Sequence, residues 1–558
     1  MLERLPPFLP LRGHAGVLDR CLLLGQQQAG GQDPEVAAKR AEWRQALQQL
    51  GALSLRGPGR EGPERHRENL RQLAERKEKL EAELSRLSAD FARERKQRHA
   101  DPGMVAPVLP PGSALVEIVR ADIVNFKATR NAPRWKPAHY FAFVLRGAGD
   151  AEPVMIDLGL ADDIDQAVGA VRDRMEEATR AFGRAPGATI QRPEEAREEE
   201  FRQASADLYR KAFAPVRKAL GHATLVYVAP DGELNRVAFE SLVEENGKYL
   251  IESYRFAYLS SGRDLLRTAP APATGTTAFA GPDYDLGVSG RQTQARLLLA
   301  ALPHEPQAAI RGQTSREVRS LKWEPLPGAA AELADLQQEL AGSRYGPVTG
   351  YTGAQAFEEV FKSLPAPRVL HVATHGFFLS DQEIPLEDRT APMELGTGFG
   401  AARGLARLRG TENPLLRSGI VLAGVNALGE AWPEAAEVDD GWVTAQEIAM
   451  MDLRGTELVV LSACESGLGD VKCGEGVYGL RRAFLYAGAR TLLTSLYKVP
   501  DEQTRDLMHR FYGSLKEGKS KLDALHEVQL AIIRQRRAQN GAAHPFFWAS
   551  FVLVGDPA

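Results

Sequence analysis

The chain has 558 residues, too many for one ordinary core and enough for two to four domains. A net charge of −4, with 25% charged and 44% hydrophobic residues, describes a globular protein with no overall field to draw it onto nucleic acid or membrane. Three cysteines, Cys21, Cys464 and Cys473, are too few for a disulfide framework and point to a reducing compartment.

The amino terminus, MLERLPPFLPLRGHAG, places charge and proline where a signal peptide needs an apolar run. No uncharged apolar segment approaches the roughly 20 residues of a membrane-spanning helix. A cytoplasmic protein is the expectation. Residues 34–50 are rich in helix formers, and after the break RGPGREGP (56–63) comes a longer helical pattern. There Leu70, Leu73, Leu80, Leu84, Leu87 and Phe91 recur at three- and four-residue steps, with Lys77 in the remaining seam position. This face suits a helix packing on its own domain and a coiled coil with a partner chain equally well. Residues 1–100 are thus a helical, coiled-coil region, and HADPGMVAPVLPPGS (99–113) is a linker.

Residues 105–200 read as a small β-rich subdomain followed by helix. Its strands are ALVEIVRADIV (114–124), HYFAFVLRG (139–147) and PVMIDLG (153–159), and helical residues run over 161–220. From ATLVYVAPDGELNRVAFESL (223–242) onward, short buried strands alternate with helices. Strands are expected at 276–285, 367–376, 456–464, 489–497 and 551–557, and helices at 327–340, 476–488 and 501–515. Such alternation predicts an α/β fold with a mostly parallel sheet covered on both faces. Sites in these sheets form at the carboxyl ends of strands.

Two strand ends there carry chemistry. HVATHGFF (371–378) ends a strand on His375-Gly376, and VVLSACESGLGD (459–470) ends one on Cys464 before a glycine-rich turn. Alone, Cys464 reads more simply as a buried structural thiol, and His375 as a histidine satisfying a local hydrogen bond. Together they supply what acyl transfer by cysteine needs: a thiolate, a proton carrier and amide donors for an oxyanion. Gly376 has no Cβ to block a substrate carbonyl, so its N–H and that of Cys464 are natural oxyanion donors.

These stretches resemble the two signature blocks of the CHAT family, caspase- and separase-related bacterial cysteine peptidases often joined to tetratricopeptide repeats. LVYVAPDGELNRVAFESL resembles the family's opening strand, NPLLRSGIVLAG (413–424) its middle strand, and HPFFWASFVLVGDP (544–557) its closing block. The resemblance covers about 200–558 and implies a caspase-like sandwich with a mostly parallel central sheet. It implies His375 as catalytic histidine, Cys464 as nucleophile and Gly376 as oxyanion contributor, with the histidine and cysteine on neighbouring parallel strands. Residues 379–440 form a long insertion between them, either bordering the substrate cleft or lying as a surface loop. SLYKVPDEQT (495–504) resembles the separase LWDVTD segment, whose first aspartate helps select a basic residue before the scissile bond. Here Lys498 stands there. A lysine in that pocket favours an acidic residue, whereas a solvent-facing lysine selects nothing. Cys473 stands where relatives commonly carry a small residue and reads as a bystander or a redox-sensitive loop thiol.

Other motifs fall away. His371 and His375 lack the glutamate and the helix of a zinc-peptidase motif, and no phosphate loop, Rossmann fingerprint or G-x-S-x-G elbow occurs. No metal and no cofactor is expected. The resulting expectation is a regulated cysteine endopeptidase that cleaves a protein substrate in a bacterial signalling, defence or cell-death circuit. Its N-terminal helices would dock a regulatory protein or ligand. A scaffold that keeps the peptidase fold without turnover is the alternative, and a thioester-forming ligase would share the first chemical step.

Overall fold

The computed structural model describes residues 63–87, 100–125, 135–147, 152–183, 193–267, 270–287, 322–378, 418–429, 441–462, 475–497 and 501–558. Lys39, Glu42, Gly290, Asp439 and Val499 are described besides. The helix expected over 34–50 otherwise lies outside these residues, as do Cys464, Cys473, Lys498, Phe91 and most of 379–440.

The chain divides into two compact units, one of residues 1–101, 382–412 and 450–452, the other of the remainder. In the first unit, the heptad-patterned stretch forms helix α1 (Pro63–Leu87). Of its expected seam, Leu80 and Leu84 are buried and Leu73 is half-buried; the side chains of Leu70 and Leu87 lie outside the described residues. Arg71 bridges Glu68 at 2.8 Å and Glu75 at 3.1 Å along the exposed face, the three- and four-residue spacings at which helix side chains meet. No described helix is long and apolar enough to cross a membrane.

The second unit is built on an eleven-stranded sheet. β1 (Ser113–Val124), β2 (Trp135–Arg146) and β3 (Val154–Leu160) form an antiparallel meander. It is continuous with the larger sheet, because β1 pairs in parallel with β4 (Leu225–Ala229). Between β3 and β4 run helices α2 (Ala161–Phe182), α3 (Glu194–Ala212) and α4 (Ala214–Leu220). β4 and β5 (Arg255–Tyr258) continue in parallel to β14 (Phe551–Gly555). β14 turns antiparallel to β13 (Thr491–Ser495), and there the strand direction of the sheet reverses. Beyond β13, the strands β12 (Leu458–Leu461), β8 (Val369–Ala373), β6 (Thr276–Pro282) and β7 (Val348–Gly353) are all parallel. The sheet is therefore mostly parallel, as the strand–helix alternation predicts.

β8, β12 and β14 are buried along their length, which requires cover on both faces and explains their unbroken apolar character. Helix α5 (Pro327–Leu340), with proline in its first turn where no N–H is missed, packs on β6 and β7. It also packs on α7 (Asp501–Lys516), which lies against α8 (Lys521–Asn540). Ser520 caps α8 by accepting from Asp523 N–H at 3.1 Å, and Gly541 ends it at φ 71°, a left-handed position that favours glycine. Helix α6 (Glu475–Tyr486) packs on β13. A second, three-stranded antiparallel sheet of β9 (Gly376–Phe378), β10 (Ser418–Val421) and β11 (Trp442–Thr444) starts directly where β8 ends.

Two carboxylates are buried by the first half of the large sheet, Glu117 in β1 and Glu240 in the segment between β4 and β5. Glu240 receives the Tyr258 hydroxyl at 2.6 Å, yet burial outweighs that bond and pushes its carboxyl up to about 7. Burial likewise raises Glu117 in β1 to about 7, against the bonds it receives from Gly262 N–H and Ser261 Oγ. From the ordinary value of 4.5 to about 7, the folded state holds protons that the unfolded chain has released. Stability therefore declines as pH rises through that window. In urea titrations between pH 4.5 and 7.5, Glu240→Gln should flatten this decline relative to the unsubstituted protein; parallel curves would show that Glu240 is ionised throughout.

Candidate active site

β8 leaves the large sheet at Thr374-His375, and the chain enters the small sheet at Gly376. This transfer is pinned by hydrogen bonds. The Thr374 hydroxyl donates to Val421 O at 2.5 Å, so Tyr284 O–H must be the donor in its 3.0 Å bond to Thr374 Oγ1. His375 C=O accepts from Val421 N–H at 3.0 Å.

His375 is only 7% exposed. Its ring neighbours two aromatic rings, Tyr284 at 5.2 Å and Trp323 at 5.3 Å between centroids, tilted 36° and 34°. Nε2 lies 2.7 Å from the backbone carbonyl of Glu324. A carbonyl can only accept, so Nε2 carries a proton, and in the neutral ring the lone pair falls on Nδ1.

Gly376 faces Ile420 in the β9–β10 pairing, and the bond from Val421 N–H to His375 O places that pair at a non-hydrogen-bonded position. The Gly376 N–H is accordingly directed away from β10, toward the outer side of β9, which is the end strand of the small sheet. Tyr284, Trp323, Phe377, Val421, Val425 and Trp442 form one buried apolar cluster.

β12 brings the start of the second signature block, Val459–Ser462, alongside β8. Leu461 is paired in register with Val372, and Ser462 N–H donates to Val372 O at 3.0 Å. His375 stands three residues after Val372, and in the sequence Cys464 stands three after Leu461. Cys464, Cys473 and Lys498 lie outside the described residues.

His371 belongs to a different, interior network. Its Nδ1 lies 3.0 Å from Tyr512 Oη and its Nε2 3.1 Å from Glu332 Oε1, while Glu332 Oε2 accepts from Ser462 Oγ at 3.0 Å. These groups tie α5 and α7 to β8 and β12 beneath the strand ends. Among the described residues, no group of three or more His, Cys, Asp or Glu is placed to hold a metal. Tyr284, Thr374, Trp323 and the Glu324 carbonyl carried no signal in the sequence. Tyr284 and Trp323 come from loops far from the signature blocks, and a backbone carbonyl has no residue type to read.

Residues 202–556 match the CHAT domain family. Among curated proteins, "Tetratricopeptide repeat protein 28" of Homo sapiens is 27% identical over 235 residues, which is 42% of this chain and 9% of that protein. Its Mus musculus counterpart is 29% identical over 236 residues, again 42% and 9%. The chain thus matches under a tenth of the length of these relatives. Similar solved structures include the Saccharomyces cerevisiae separase–securin complex, with a TM-score of 0.36 at 8% identity, covering 84% of this chain and 31% of that one. The Arg-specific cysteine proteinase gingipain R has a TM-score of 0.31 at 8% identity, covering 70% and 75%.

The small sheet tolerates no side chain at Gly419. A Cβ there would lie 2.2 Å from Val443 O and 2.6 Å from the Phe377 ring. Gly419→Ala should lower stability by about 1–3 kcal/mol in urea denaturation, as overpacking does, and should displace Phe377 beside Gly376. An unchanged midpoint would show that β10 has room to shift.

Proposed function

Because this chain belongs to the CHAT-domain family, its match spanning residues 202–556, we propose that it is a cysteine endopeptidase acting on a protein substrate through His375 and Cys464. The observation that carries this reading is the register of β8 and β12, in which both residues follow a paired position, Val372 and Leu461, by three. The chemistry follows from the tautomer. His375 Nδ1 takes the Cys464 thiol proton, and the thiolate adds to the scissile carbonyl carbon. The oxyanion is held by the N–H groups of Gly376 and Cys464. The C–N bond then breaks, the leaving amine takes the proton from Nδ1, and a water activated by the same nitrogen hydrolyses the thioester. One oxyanion donor is worth roughly 10²–10³ in turnover, which is why a glycine whose N–H is spared by the neighbouring strand matters.

Lys498 is proposed to border the pocket for the residue before the scissile bond, where its charge would favour an acidic side chain. The N-terminal region, residues 1–100, is proposed to receive the regulatory protein or ligand that switches activity on.

The test is labelling of the full chain with a peptide carrying a thiol-reactive electrophile, with mass spectrometry of the adduct. A single adduct on Cys464 is expected, abolished in Cys464→Ala and slowed by about a hundredfold or more in His375→Gln. Labelling that survives Cys464→Ala overturns the nucleophile assignment. A folded protein that takes no label at all supports a scaffold without turnover.

A further inference from the structure

We propose that Asn426 is a positioning residue for His375, its carboxamide clamping the backbone of Trp323 so that the Trp323 ring and the Glu324 carbonyl hold the imidazole. The proposal rests on reading His375 as the proton carrier.

Asn426 follows β10 and shares no element with the histidine. Its Oδ1 accepts from Trp323 N–H at 2.9 Å, and its Nδ2 donates to Trp323 O at 2.9 Å. The same Nδ2 donates to Asp285 Oδ1 at 2.9 Å, and the Asn426 backbone N–H donates to Tyr284 O at 2.9 Å. One residue therefore grips the backbones of both aromatic residues that neighbour the His375 ring. The two bonds to Trp323 also fix which amide atom is oxygen and which nitrogen.

The segment Lys322–Leu326 belongs to no strand or helix, although Trp323 is buried. Its backbone polar groups need partners that a ladder would otherwise supply. A carboxamide is the side chain that can accept from an N–H and donate to a C=O at once, as a neighbouring strand would. Aspartate has the same shape but lacks the donor, and it would set a second carboxylate against Asp285. Glu324 follows Trp323 directly, so movement of the clamped peptide carries with it the carbonyl that sits 2.7 Å from His375 Nε2. The clamp acts on the orientation of the imidazole and touches no substrate.

The experiment uses the full chain labelled with [13Cε1]histidine, with the His375 resonance assigned by its loss in His375→Gln. Asn426→Asp and Asn426→Ala are compared with the unsubstituted protein by NMR titration and by the pH profile of Cys464 labelling. Both variants should displace the His375 resonance and move its titration midpoint by about half a pH unit or more. The acidic limb of the labelling profile should move with it, and the rate at pH 7 should fall by about tenfold or more. A role in stability alone would lower the urea midpoint and leave that titration in place. Asp285→Ala, which removes only the third amide bond, should shift the resonance less and in the same direction, and it decides the matter if the Asn426 variants do not fold. An unmoved His375 resonance and midpoint in the folded variants overturns the proposal. If the unsubstituted protein shows no His375-dependent labelling, the peptidase reading fails while the resonance test of the clamp still stands.

Discussion

The in-register parallel pairing of β8 with β12 is the constraint on which the rest of the structure hangs. Parallel strands make even, slanted hydrogen bonds, so a register fixed at Leu461 and Val372 carries forward to the ends of both strands. It is held from outside as well as within. Glu332 reaches from α5 to His371 of β8 and to Ser462 just past β12, and Tyr512 of α7 meets the other nitrogen of His371. A slip by one residue would turn His371 away from Glu332, drive buried apolar side chains to the wrong face, and separate the two signature blocks.

From that pairing outward, the site is assembled by groups that neither strand contains. β8 delivers the chain to Thr374, and the two hydroxyl bonds there settle where the chain turns into the small sheet. The imidazole then meets two rings and a carbonyl, none from its own strand. This division of labour is physically sensible: rigid strands set where the chain emerges, and loops tied by hydrogen bonds set what surrounds the emerging side chain.

Much of this was legible beforehand. The helix over 327–340 and strands within 367–376 and 456–464 follow from apolar runs bounded by proline and glycine, and the parallel sheet from their alternation with helices, although β8 stops at Ala373 and Gly376 already belongs to the small sheet. The short strands β5, β9 and β11 were not foreseen, because three or four residues carry too little periodicity to register. The surroundings of His375 were hidden for another reason. Tyr284, Trp323 and Asn426 are each unremarkable in their local sequence and acquire meaning only when the sheet gathers loops from β6, α5 and β10 at one edge. The antiparallel join of β13 to β14 was equally invisible, since nothing within a buried apolar run states the direction in which it is paired.

That join has a consequence for synthesis. Residues 551–555 occupy the middle of the large sheet, between β5 and β13. As the polypeptide leaves the ribosome from its amino end, the two parallel blocks have no hydrogen-bonded seam until these residues emerge. A nascent chain carries His375 and Cys464 long before it carries the strand that unites its halves. Premature stops upstream of residue 551 would yield fragments split through the centre rather than trimmed at a margin.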